Sequence, residues 1–178
     1  MKRLVYAARG VTRIIGIAET ILGSLLMLMI FGLMLLQVAQ RYLPIGPGVW
    51  VGELARFGLV WLTFALAGYL VSKNEHVAIG VIDVWNTSEI GRRAVIVFVN
   101  IVIVAVGILF AIDALAMVDG ASMQSTPATG IPLSLVYVVP LIGFILTAVH
   151  GVVRAASAFV LPLSELENDT EEEGAVHA

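Results

Sequence analysis

The stretch WVGELARFGLVWLTFALAGYLVSKNEHVAIGVID, Trp50 to Asp83, decides how this chain folds. It opens on an aromatic residue and places Glu53 and Arg56 one helical turn apart. A run from Phe57 to Val71 then carries no charge, until Lys73, Asn74, Glu75 and His76 stop it. Side chains at i and i+3 share a helix face, so this acid and base can pair. A charge at the centre of a membrane helix costs about 2.5–3.5 kcal/mol, whereas each Leu, Ile, Phe or Val contributes about 0.3–0.6 kcal/mol the other way. The apolar run therefore offsets two charges near a helix end only narrowly. They are tolerable when paired and turned toward protein, and poorly tolerable when facing lipid.

The same segment carries a candidate packing face. Gly58, Ala65 and Ser72 recur every seven residues with Gly68 beside them, and in lipid small residues let helix backbones approach. Gly and Ala are also common in membrane helices as such, but beside the charged pair the pattern favours a packed face. Trp50 suits an interfacial anchor, and Trp61, eleven residues on, lies on nearly the same face.

Composition agrees with a membrane class. The chain of 178 residues is 60% hydrophobic and 13% charged, with a mean hydropathy of +1.00. A soluble domain so apolar could not cover its own surface with polar groups. A net charge of -3 without a basic stripe gives no footprint for nucleic acid. The absence of Cys removes disulfides, thiolate metal sites and Cys nucleophiles together.

Four spans are expected, at about 14–40, 50–72, 94–118 and 133–156, making an all-α membrane domain over 1–162. The basic start (Lys2, Arg3, Arg9, Arg13) resembles a secretion signal, but the uncharged run from Thr20 to Gln40 exceeds a signal's apolar core and reads as an uncleaved anchor. Glu19, near the basic end of that helix, is expected to snorkel to the interface or pair with a nearby Arg; an intramembrane carboxylate can also be a proton or cation site. Arg41 and Tyr42 close the first helix at the membrane boundary, and Pro44 to Gly48 enforce a turn.

Residues Glu75 to Arg93 are too short and polar to span. With Val77, Val81, Val84 and Trp85 on one stripe they read as a segment lying on the membrane, with His76 at its edge and Arg92 and Arg93 opening the next span. In the third helix Asn100 and Gly107 share a face, while Asp113 points elsewhere, toward the rim. In the fourth, Pro140 removes a backbone donor and should kink the helix. Gly143, Thr147, His150 and Arg154 form a small-to-polar stripe that should face protein, with Arg154 reaching the interface. The acidic tail over 163–178 is expected to be solvated and disordered.

Of the 10 basic residues, Lys2, Arg3, Arg9, Arg13, Lys73, Arg92, Arg93 and Arg154 fall on one side of this topology and only Arg41 and Arg56 on the other. The positive-inside tendency then puts both termini in the cytoplasm. No phosphate-binding Gly loop, HExxH helix or nucleophile elbow is present. His150 is the single His inside a span, too few for haem ligation between helices. No enzyme, cofactor or metal site is expected.

The residues nonetheless resemble a known family, the small permease or Q subunit (DctQ-like) of tripartite ATP-independent periplasmic (TRAP) transporters. The resemblance rests on Arg41–Tyr42, Trp50, Glu53–Leu54–Ala55–Arg56, Trp61–Leu62–Thr63–Phe64, Gly68 and His76–Val77. It continues through Pro132 and Tyr137 to Pro140 before Gly143, and covers about 14–156. The chain departs from the family's pattern at Ala65–Leu66–Ala67 and Gly80, and keeps only Lys73 of the basic residues before the His.

What the resemblance implies is a non-catalytic subunit of the bacterial inner membrane. It packs against the large permease (M) subunit and enlarges its stationary scaffold, while a periplasmic substrate-binding protein delivers an organic acid that the large subunit moves with sodium. The residues expected at the partner interface are Trp50, Glu53, Arg56, Gly58, Trp61, Ala65, Gly68, His150 and Arg154. Those expected at the membrane interface, against lipids, are Arg41, Tyr42, His76, Trp85, Arg92 and Arg93. Two rival readings differ in kind: a self-sufficient small multidrug-type exporter using Glu19 as its proton-coupled site, and the membrane anchor of a respiratory complex.

Overall fold

Where hydropathy is high and helix breakers are absent, a chain in lipid must satisfy its backbone within itself, and the helix is the local solution. A computed structural model describes residues 2–43, 46, 48–72 and 88–162. It contains α1 (Lys2–Tyr42), α2 (Val49–Ser72), α3 (Glu89–Gly120) and α4 (Leu133–Val160), all four long and apolar enough to cross a membrane. The all-α, four-span architecture is as expected. His76 and Trp85, most of the proposed surface segment and the acidic tail lie outside the described residues.

Two helices start earlier than hydropathy alone indicates. With 41 residues, α1 is about 60 Å long at 1.5 Å per residue, twice the hydrocarbon thickness of roughly 30 Å. Hydropathy marks the span, whereas the helix end is set by caps and breakers, and nothing between Lys2 and Arg13 interrupts a helix. The α3 helix begins at Glu89, absorbing the last residues of the expected surface segment. Ser88 stands at its N-cap in extended conformation, its carbonyl accepting from the Arg92 amide at 3.0 Å, and Glu89 lies favourably in the first turn.

The helices pack in the order α1, α2, α4, α3, with a smaller contact between α1 and α4. The inner pair is joined at Gly143, whose missing side chain lets α4 approach the Phe64 backbone carbonyl of α2. Phe144, the next residue, packs edge-on to Phe64 at 4.9 Å and tilted against Phe110 of α3 at 5.2 Å. The expected shared face of Asn100 and Gly107 exists. Both are buried, and Gly107 admits Ala148 and the Phe144 carbonyl of α4.

Pro140 sits inside α4 and is buried there. Lacking an N–H, it cannot donate to the carbonyl of Val136 four residues earlier. That carbonyl is taken instead by Trp61 Nε1–H of α2 at 3.1 Å. A gap in one helix's backbone bonding thus becomes an interhelical bond, which is how helix-interior proline is accommodated in lipid.

Candidate functional site

The two charged residues of α2, Glu53 and Arg56, sit toward its first turns, and the structure separates them. Glu53 does not pair with Arg56. Its carboxylate reaches the loop between α3 and α4, accepting from the Ala128 amide at 2.9 Å, the Thr129 amide at 3.2 Å and the Thr129 hydroxyl. The loop is shaped to offer those donors. Ser125 and Pro132 form an antiparallel bridge, Leu133 N–H donates to Gln124 O at 2.9 Å and Thr126 N–H to Ile131 O at 2.9 Å. Gly130 turns the chain at φ 68, in the left-handed region that glycine enters freely.

A hydroxyl relay completes the clamp. The Thr126 hydroxyl accepts from the Ile131 amide at 3.0 Å and lies 2.6 Å from the Thr129 hydroxyl. With the Thr129 proton directed to Glu53, Thr126 must be the donor between the two threonines. Every proton in this chain of bonds points toward one carboxylate. Sequence spacing favoured the wrong partner because Arg56 is close along the helix, whereas Ala128 is 75 residues away. The signal that was available is the run Thr126 to Pro132, a Gly/Pro-punctuated turn whose amides need an acceptor.

Arg56 is exposed, and none of the bonds holding the loop involves it. Trp50, at the start of α2, is exposed at 43%. Trp61 is half-buried, tied to α4 through Val136 and stacked on Phe57 at 6.4 Å. The small-residue face is present, but it packs within the chain: Gly58 meets Met29 and Ile30 of α1, Gly68 meets the Glu19 carboxyl, and Ala65 is buried.

Glu19 does not snorkel. It is 5% exposed, and neither carboxyl oxygen has a hydrogen-bond partner among the described residues. Its seat against Gly68 lies in the seam between α1 and α2, where Gly16 likewise faces Tyr69.

At the end of the bundle away from the Glu53 clamp, His150, 2% exposed, places Nδ1 2.9 Å from Leu146 O on its own helix and Nε2 3.3 Å from Thr12 O on α1. It holds the extended first helix against the fourth. Arg154, one turn on, is half-buried. Arg93 donates to Leu161 O at 3.3 Å, tying the start of α3 to the end of α4. Arg92 is half-buried, and Arg41 and Tyr42 are exposed at the end of α1.

Among the described residues no group of three or more His, Cys, Asp or Glu could hold a metal ion. Glu53, Trp61, Arg93 and His150 join helices and a loop to one another, whereas buried Glu19 makes no such bond among the described residues.

Compared with known families, residues 30–161 match the model of the Tripartite ATP-independent periplasmic transporters, DctQ component. The chain belongs to this family. It is accordingly a small subunit of a TRAP transporter, a multi-pass membrane protein from a family that works alongside a large permease and a substrate-binding protein. The family is one of transporter components, not of enzymes. A comparison with curated proteins returned no match. The DctQ match takes in the Glu53 clamp, the Trp61–Pro140 contact and His150, and begins beyond Thr12 and Glu19.

Proposed function

We propose that this DctQ subunit braces the large permease of a sodium-coupled transporter for organic acids, with no transport site of its own. On this reading it resides in the bacterial inner membrane with both termini in the cytoplasm. It belongs to a complex in which the large subunit carries the substrate and a periplasmic protein delivers it.

The observation that carries the reading is the use made of the polar groups. Glu53, Trp61 and His150 each bond to backbone atoms of another segment of this chain. A transport pathway needs polar groups facing a cavity that water or ions can enter, and here they close contacts. The exporter reading required an accessible Glu19, whereas that carboxyl is enclosed between α1 and α2.

Reconstitution tests the proposal. Liposomes containing this chain alone should show no sodium-driven uptake of organic acid. The large permease with the substrate-binding protein should transport with the chain present and lose most of that activity without it. Flux through the solitary chain, or full activity of the permease lacking it, would overturn the proposal.

A further inference from the structure

The α2 helix has two different flanks. Val51, Ala55, Gly58, Ala65, Gly68 and Val71 are buried in the chain. On the opposite side Val49, Arg56, Thr63 and Leu70 follow one another at seven-residue intervals, all exposed, with Leu59 and Val60 between them. The Thr63 hydroxyl is returned to its own helix at Leu59 O, 2.9 Å away.

We infer that this outward flank of α2 is the docking face for a membrane helix of a partner protein, and that Arg56 meets a carboxylate on that helix. The inference rests on the subunit reading above and adds the surface and its chemistry. Arg56 stands seven residues into α2, about 10 Å along the axis at 1.5 Å per residue, so its side chain leaves the helix about two turns in from the start of a candidate span. Within the chain the nearby acid is already committed, because both Glu53 oxygens bond the loop. An exposed charge at this depth is costly against lipid and favourable against an opposite charge.

The outer flanks of α1 and α3 differ in kind. Leu25, Leu28 and Phe31 on the one, and Phe98, Ile101 and Leu109 on the other, are large, exposed and apolar through the middle of each helix, although Asp113, seven residues before the end of α3, is exposed as well. Guanidinium pairs with carboxylate through two parallel N–H···O bonds, which fixes geometry as well as charge. A single polar position on an otherwise apolar helix seam sets the register of its partner. Arg56 has that setting, with Leu59, Val60 and Thr63 along the next turns to pack against the incoming helix.

The test uses the complex. A photo-crosslinking residue is placed at Leu59 or Thr63, and for comparison at Leu25 of α1 and Leu109 of α3, in chains co-expressed with the large permease. The Leu59 and Thr63 probes should attach to one span of the permease with an Asp or Glu within a helical turn of the attachment point. Arg56→Glu should lower the permease recovered with the chain at least tenfold, and changing that acid to Lys should restore it. Arg56→Gln, which enters a membrane more easily than the native residue, should give an intermediate loss and guards against failed insertion.

If the probes at Leu59 and Thr63 capture only lipid or a second copy of this chain, and Arg56→Gln retains the permease fully, the α2 face is refuted. Should the Leu25 or Leu109 probe then capture the permease, the subunit role stands on a different surface. A wild-type chain that retains no permease refutes both.

Discussion

Replacing Trp61 by Phe should expose the cost of proline in α4, and the size of that cost can be worked out. The substitution removes the N–H that lies 3.1 Å from Val136 O, and Pro140 cannot supply another. A buried carbonyl left without a donor costs about 1–3 kcal/mol. Hydrogen bonds measured between membrane helices average nearer 0.6 kcal/mol and reach about 1.7. To this is added the packing lost with the larger ring. The two parts separate in a double-mutant cycle with Pro140→Ala, which restores a helix N–H to Val136. In that background Trp61→Phe still loses ring contact, but the carbonyl keeps one donor. The coupling should therefore be about 1 kcal/mol, read from equilibrium unfolding in mixed micelles followed by far-ultraviolet circular dichroism. Independent sites add to within about 0.3–0.5 kcal/mol. A Trp61→Phe cost that is the same in both backgrounds, within that margin, would refute the assignment of Trp61 as the donor that compensates for Pro140.

Three further outcomes follow from the same contacts. Glu53→Ala should leave the α3–α4 loop folded only in part, because two amides and a hydroxyl lose their shared charged acceptor; amide exchange at Ala128 and Thr129 should accelerate about tenfold, and unchanged protection would show that the clamp is idle. Glu19→Met should stabilise the protein, or at worst be neutral, since it replaces a buried carboxyl lacking hydrogen-bond partners by an apolar side chain of similar volume; a lowered thermal midpoint in detergent would mean that the carboxyl has a partner in solution. Gly143→Ala should separate α2 from α4, because the new methyl meets the Phe64 backbone, which cannot swing aside; a loss of about 1–3 kcal/mol is expected, and an unchanged unfolding midpoint would contradict the close approach.

Features depending on one helix at a time were readable before the structure. The uncharged runs placed the four spans, and three- and four-residue steps put Asn100 with Gly107 and Gly143 with His150 on buried faces. What could not be read were contacts between chain segments distant in sequence. Glu53 has Arg56 one turn away and the loop amides 75 residues away, and periodicity reports only the first. Glu19 is near the basic end of its helix, which suggests the interface, yet burial depends on Gly68 facing it across the seam. The length of α1 was missed for another reason: hydropathy measures fitness for lipid, and a helix that continues beyond the bilayer leaves no mark on that scale.

These misses bear on how a subunit with so few charged groups would hold a partner. Had Glu53 and Arg56 paired, they would have formed a neutral unit, and another protein would have little electrostatic reason to seek that place. Because the loop takes the carboxylate through two amides and a hydroxyl, the arginine is left as a net charge on the outer flank. The clamp and the exposed cation are then two consequences of one choice of partner by Glu53. The choice is favourable within the chain because three donors converge on the acid, whereas Arg56 could reach it only along the helix surface. A variant that weakens the loop's hold on Glu53 should let it turn to Arg56 more often, so the loop substitution Thr129→Val, which removes one of the three donors, should weaken recovery of the permease as well as loosen the loop. If it loosens the loop and leaves recovery unchanged, the two functions of this helix end are independent.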